Sequence, residues 1–281
     1  MTDCDDLVTS CKTPVHDVAI PIVYPFQPIT IPKDIVRSKL DQATLKDDVD
    51  VDATFRSTFN DSTSAPPLRI VKDLESLVKV EGLGHAGIAI VDGASGAVSY
   101  FEYGRYDSAG FGRVRSVPIS SRLQFDSNGD PLFPTLQSLF SELVKTNGGP
   151  YAIEAVYVKV PEGAFQVMKQ FSENRQKAIA LSEARGYSIF DNHCFTFALE
   201  VVSSAGVKAN VSRATPLTLK PAFTSDANWL ERNLAAGLFS ALGDIQIPAR
   251  QMRELQKIYT PVRILKSGAV TPFAIPDEDY R

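Results

Sequence analysis

The chain has 281 residues, 44% of them hydrophobic and 22% charged, with a formal net charge of −4. That length and apolar content suit one large soluble domain, or a domain with an extension. The acidic balance argues against binding driven by nucleic-acid phosphates, and no run approaches the roughly 18 consecutive apolar residues of a membrane span.

Residues 1–66 differ in texture from the rest. Met1–Asp6 lacks the basic and apolar regions of a signal peptide, so synthesis in the cytosol without general secretory export is expected. Cys4 and Cys11 lie in this polar leader, and with Cys194 they make too few cysteines for a disulfide scaffold. Val18–Pro32 is apolar but punctuated by Pro21 and Pro25, which predicts extended edge structure, because proline donates no hydrogen bond to a central ladder. Asp41, Asp47, Asp48, Asp50 and Asp52 follow, then the linker-like Asn60–Pro67. Residues 1–66 therefore read as an extension or adaptor, and 67–281 as the main domain with a helical C-terminal part.

Within the main domain, Gly84–Val91 and Ala97–Gly104 flank the turn residues Asp92–Gly96 and predict a β-hairpin. Gly110–Pro118 suggests a loop and a short strand. Asp126–Pro131 begins like a calcium loop, but Pro131 occupies the position that needs glycine, so no metal site is expected. Leu136, Leu139, Phe140, Leu143 and Val144 recur at helical spacing over Thr135–Lys145, and Asn147–Pro150 stops that helix. Tyr151–Val160 is β-branched and aromatic, hence a strand. Pro161 opens a helix expected to run to about Arg185. Further helical runs are expected at Ala227–Ala241 and Pro248–Ile258, before a Pro-rich tail.

The informative stretch is Tyr187–Val202. A polar turn, Asp191-Asn192-His193, runs into an apolar helix with Cys194 in its first turn and Gly206 behind it as the C′ residue. The unpaired N–H groups and the positive end of the macrodipole at a helix start favour thiolate over thiol. The alternative is a small buried hydrophobe, the fate of most free cysteines. His193 is a poor base for its neighbour, since adjacent residues at a helix start point in different directions. His85 sits on the first hairpin strand between Gly84 and Ala86, whose small size leaves room for a substrate or a partner helix. Folding the hairpin about Ala94–Ser95 puts His85 opposite Gly104, with Glu102 one diagonal step away on the same face. Glu102 is thus a candidate to orient the imidazole, against the alternative of a solvated strand carboxylate. Asp92 in the turn and Tyr100 are less well placed.

Gly84-His85-Ala86-Gly87 with Glu102, followed by Tyr187 and Asn192-His193-Cys194-Phe195-Thr196-Phe197, resembles the circularly permuted branch of the NlpC/P60 papain-like hydrolases. In that branch the His-bearing strands precede the Cys-bearing helix. The likeness covers roughly residues 80–205; many relatives carry Asn directly before the Cys, where this chain has His193. It implies an α+β fold with an antiparallel sheet packed on a central Cys-bearing helix. It also implies a Cys194, His85 and Glu102 triad, with Asn192 and Tyr187 supporting the oxyanion site, and no cofactor. Within the branch the chain looks most like type VI secretion amidase effectors that cut peptidoglycan peptides. That implies a secretion spike protein and a cognate immunity protein as partners, and action in a rival cell's periplasm. Arg105 and Arg113, with Arg115 and Arg122, are candidates to meet stem-peptide carboxylates, against the alternative of exposed solubilising charge. Two other readings stay open: the same thiol chemistry on a lipid or protein isopeptide substrate, and an inert binding module with a buried thiol.

Overall fold

The computed structural model describes residues 16–32, 69–73, 77–104, 112–146, 152–180, 187–188, 192–209, 247–264 and 270–271. Strands β1 (Asp17–Tyr24), β5 (His85–Val91), β6 (Val98–Gly104), β7 (Arg113–Val117), β8 (Ile153–Val160), β9 (Thr260–Ile264) and β10 (Val270–Thr271) build one seven-stranded sheet. Its order is β10-β9-β8-β1-β5-β6-β7, and every neighbouring pair is antiparallel. A three-stranded sheet joins β2 (Ile29–Pro32), β4 (Leu77–Glu81) and β3 (Arg69–Asp73) in the order β2-β4-β3. Four helices occur among the described residues: α1 (Phe133–Thr146), α2 (Ala164–Ala180), α3 (Cys194–Ser204) and α4 (Pro248–Gln256). The α+β class with an antiparallel sheet is therefore as expected.

Side chains alternate across the strands, so the sheet carries a core on each face. Ala86, Ile88, Ile90, Phe101 and Tyr103 share one core with Phe195, Phe197, Ala198, Val201 and Val202 of α3 and with Met168 and Met252 of α2 and α4. Ala89, Val91, Tyr100, Ile20 and Ile22 share the other with Leu136, Leu139, Phe140 and Leu143 of α1. The hairpin has the expected register, with Gly87 opposite Glu102 and Ile88 opposite Phe101.

The edge assignment for the Pro-punctuated run is corrected. All of β1 is buried, and it lies between β5 and β8 in the middle of the sheet. It tolerates Pro21 because the ladder to β8 pairs Asp17 to Ala19 and then Ile22 and Val23, leaving Ile20 and Pro21 out. The N–H that proline lacks is missing where no bond is made. Residues 17–24, assigned by sequence to an extension, are thus part of the main sheet, and β2 pairs across the expected boundary with β4. The tail expected after the last helix contributes β9, which extends the main sheet beside β8. The helix expected at Ala227–Ala241 lies outside the described residues, as do Cys4, Cys11 and the acidic segment.

Asp17 ties the layers together. It is 3% exposed, and its carboxylate accepts from Gly93 N in the hairpin turn and Phe165 N in the first turn of α2, each at 2.8 Å. One side chain thus caps a helix from a distance and fixes the turn that sets the hairpin register.

Candidate active site

Helix α3 begins at Cys194 because His193, directly before it, is extended (φ −121°, ψ −176°) and caps the helix. His193 Nδ1 accepts from Phe195 N–H at 3.3 Å. The His193 N–H donates to Thr196 Oγ1, whose hydroxyl donates back to His193 O, both at 2.8 Å. Reciprocal bonds of this kind fix the chain entering the helix and aim its first turn. The helix ends at Ala205, with Gly206 at φ 81° behind it, as expected for a C′ glycine. Cys194 itself is 1% exposed, with its thiol against the sheet end where β5 begins.

His85 opens β5 and is 6% exposed. Its Nε2 lies 3.3 Å from Glu102 Oε2, and the ring and the Cys194 thiol shift one another's ionisation. Tyr24, its partner on β1, stacks on it with centroids 6.4 Å apart. The room that Gly84 and Ala86 leave is taken up by the chain itself. A Cβ at Gly84 would meet Tyr24 O at 3.1 Å, and Ala86 packs in the α3 core.

Glu102 is fully buried, which excludes the solvated-carboxylate reading. Its Oε2 also accepts from Arg115 Nε at 3.0 Å and pairs with Arg115 Nη2 at 2.8 Å. Arg115 sits directly opposite Glu102 on β7, so the charge of the buried acid is met from both sides. Removing a carboxylate from water is costly unless such partners replace the solvent.

The three groups polarise one another. Burial works against a charged imidazole, but the bonds to Cys194 and Glu102 outweigh it and raise His85 to about 9. Burial likewise favours the neutral thiol, but the hydrogen bonds from His193 and His85, with the charge beside it, lower Cys194 to about 6. Both shifts favour the charged forms, a thiolate beside an imidazolium.

The profile of type VI secretion system effectors like TseH matches residues 19–211, more than half of the chain. This chain belongs to the TseH-like effector family. In fold it is similar to the crystal structure of the type VI secretion system effector TseH, at 16% identity and a TM-score of 0.53, over 92% of this chain and 97% of that one. No curated protein matches the chain in sequence.

The other expected site residues of this TseH-like chain fall into three groups. Asn192 is 3% exposed, but its amide is engaged: Oδ1 accepts from Arg175 Nη2 at 2.9 Å and Nδ2 donates to Tyr103 OH at 3.3 Å. With the Ser188–Asn192 bridge it braces the turn before Cys194. Tyr187 packs on Tyr103 at 5.3 Å between centroids, so it supports the same turn. Arg113 is exposed at the start of β7, opposite Gly104; Arg105 lies outside the described residues. Arg122 donates to Ser95 O in the hairpin turn at 3.2 Å and so serves the hairpin instead. Asp92 is likewise structural, accepting from Ala94 N and Ser95 Oγ. No group of three or more potential metal ligands occurs among the described residues.

Sequence reasoning missed Tyr103, Arg175 and the pairing of Arg115 with Glu102. Only the Arg115 pair left a signal, as a basic residue on the next strand that a known β6–β7 register would have set across from Glu102. His193 is an extended cap residue whose ring accepts from Phe195 N, so the directions of helical neighbours do not describe it.

Proposed function

We propose that this chain is a cysteine amidase that cuts peptide bonds in bacterial peptidoglycan, using a permuted NlpC/P60 arrangement of Cys194, His85 and Glu102. The observation that carries the proposal is the arrangement itself: a buried thiol at a helix start, electrostatically coupled to an imidazole that is hydrogen-bonded to a buried carboxylate. A thiol kept only for packing has no need of these partners.

In the reaction, the Cys194 thiolate attacks the scissile carbonyl and forms the C–S bond. The tetrahedral oxyanion is held by the Cys194 N–H at the positive end of α3. His85 gives its proton to the departing amine as the C–N bond breaks. The neutral imidazole then takes a proton from water, whose hydroxide displaces the thiolate and releases the acid. Glu102 keeps the ring oriented and supports its charged state throughout, while Arg115 holds Glu102. Arg105 and Arg113 are the side chains proposed to meet stem-peptide carboxylates.

Membership in the effector family supports an antibacterial role, with delivery by the secretion machinery into a rival cell's periplasm and an immunity protein protecting the producer. The test is a digest of purified peptidoglycan by wild type and Cys194→Ala, with products weighed by mass spectrometry. New fragments with the wild type alone establish the activity, and their masses name the bond.

A second reading is favoured by one observation, the 1% exposure of Cys194. A thiol so enclosed suits a binding module in which the site has become structural. An alkylating probe separates the two: rapid labelling of Cys194 at neutral pH supports the enzyme, and an inert thiol in the folded chain supports the module.

A further inference from the structure

Glu102 meets the imidazole of His85 at its edge, through Nε2. A ring held by its own Cβ and one bond can still turn about the line joining them, which swings Nδ1. Keeping Nδ1 aimed therefore takes a contact on the face as well. Tyr24, the cross-strand partner of His85 in the β1–β5 ladder, supplies it. The two rings are near-parallel, at 16°, with centroids 6.4 Å apart, within the range of offset stacks. Tyr24 is itself held. It is fully buried, its carbonyl accepts from Gln27 N at 3.1 Å, and its hydroxyl lies 3.2 Å from that of Tyr100. Gly87, which stands opposite Glu102 in the hairpin, makes the last contact possible, because a Cβ there would overlap the Tyr100 hydroxyl.

We propose that Tyr24 is a positioning residue for the reaction: its face sets the plane of the His85 ring, Glu102 sets the edge, and Tyr100 braces Tyr24 through the space that Gly87 leaves. The inference rests on the proposed thiol chemistry and deepens it, because it names what keeps Nδ1 directed while a proton moves. Face and edge do different work. The carboxylate supports the charge of the ring, and the aromatic face restricts its rotation. The brace has its own reason, since a tyrosine free to turn would carry the imidazole with it. Gly87 of the Gly84-His85-Ala86-Gly87 motif thus serves the histidine two residues before it, through Tyr100 and Tyr24 in turn.

The experiment separates this duty from core packing. Tyr24→Leu keeps an apolar side chain and removes the face; Tyr24→Phe and Tyr100→Phe keep the face and remove the brace. For each full-length variant, unfolding is measured, and kcat and KM on purified peptidoglycan are taken per folded molecule. The Nε2–H proton that bonds Glu102 is followed by NMR in protein carrying labelled histidine, and is assigned by its absence from His85→Ala. For Tyr24→Leu the expected result is a roughly ten- to hundredfold fall in kcat with KM near wild type, and loss of the low-field Nε2–H signal to exchange. Both Phe variants are expected to keep most of kcat and a broadened signal. If Tyr24→Leu folds with wild-type kcat and signal, Tyr24 is core packing only and the inference is overturned. If Tyr24→Phe falls as far as Tyr24→Leu, the hydroxyl carries the effect instead of the face, which overturns it too. Should Tyr24→Leu not fold, Tyr100→Phe decides: a broadened signal supports the brace, and an unchanged one overturns it. A wild type without the low-field signal has no held ring, and the inference falls. If the wild type leaves peptidoglycan intact, the hydrolase reading fails by itself, and the Nε2–H signal still decides whether Tyr24 holds the ring.

Discussion

A buried carboxylate beside an arginine and an imidazole is easily mistaken for a salt bridge kept for stability. The geometry assigns Glu102 another use, because its Oε2 is within bonding distance of both His85 and Arg115. In the proposed reaction His85 gains from a carboxylate that Arg115 already holds in place, so the ring would keep its direction as its charge changes. Glu102→Gln keeps the shape and removes the charge. It is expected to cut kcat by roughly 10²-fold or more. It also moves the basic limb to lower pH, since the imidazolium loses the carboxylate that favours it; steady-state rates across pH read both effects. For the wild type the signs follow from the two groups. In the proposed reaction Cys194 must be deprotonated, which holds above about 6, and His85 must be protonated, which holds below about 9. Activity therefore forms a plateau between those values and falls about tenfold per pH unit on either side. A profile centred well outside that window would show that another pair carries the reaction. Much of this residue-scale picture was legible in the chain: a cysteine before an apolar helix, and a histidine and a carboxylate whose hairpin register follows from the turn. The partners of Glu102 and Asn192 were not, because Arg115, Arg175 and Tyr103 come from three elements whose mutual placement no local pattern records.

At the scale of elements, the site depends on β5 and β6 lying in one register and α3 starting at one residue. Gly87 shows how tightly the first is specified. A Cβ there would run into the Tyr100 hydroxyl, which contacts at 3.2 Å the OH of Tyr24, the ring stacked on His85. Gly87→Ala is therefore expected to overpack the hairpin and cost about 1–3 kcal/mol in urea unfolding, with a loss of activity beyond the loss of folded protein because the ring that stacks on His85 is displaced. Asp17→Ala tests the fastening of the same hairpin to α2. It leaves two backbone N–H groups without their buried acceptor, for an expected loss of about 2–4 kcal/mol, read in the same unfolding experiment. Periodicity revealed α1, β8, α2 and α3 because each has a strong local pattern and a clear stop. It put the extended run of β1 at an edge because of Pro21, and it left β9, with Pro261, in a Pro-rich tail. Proline is excluded from a ladder only where its missing N–H would have bonded. Whether it would have is set by the partner strand, and the chain's own pattern does not say which strand that is.

For the molecule as a whole, the position of β1 changes what the N-terminal region can be. An adaptor that serves only delivery is dispensable for catalysis and folds apart from the enzyme. Here the first described strand contributes eight residues, all buried, and separates β8 from β5, so it joins the half of the sheet that carries His85 to the half built from the C-terminal strands. Tyr24, at its end, supplies the ring that stacks on His85, so the segment reaches the site as well as the core. Two truncations decide between these views. A chain beginning at residue 16 retains β1 and is expected to unfold cooperatively and to keep its activity on purified peptidoglycan. A chain beginning at residue 25 loses the middle strand and exposes the apolar edges of both neighbours, which invites pairing with other chains. It is expected to be recovered as aggregate, with no cooperative transition by circular dichroism. If the shorter chain instead folds and cleaves peptidoglycan, the sheet closes without β1 and the N-terminal region is an adaptor after all.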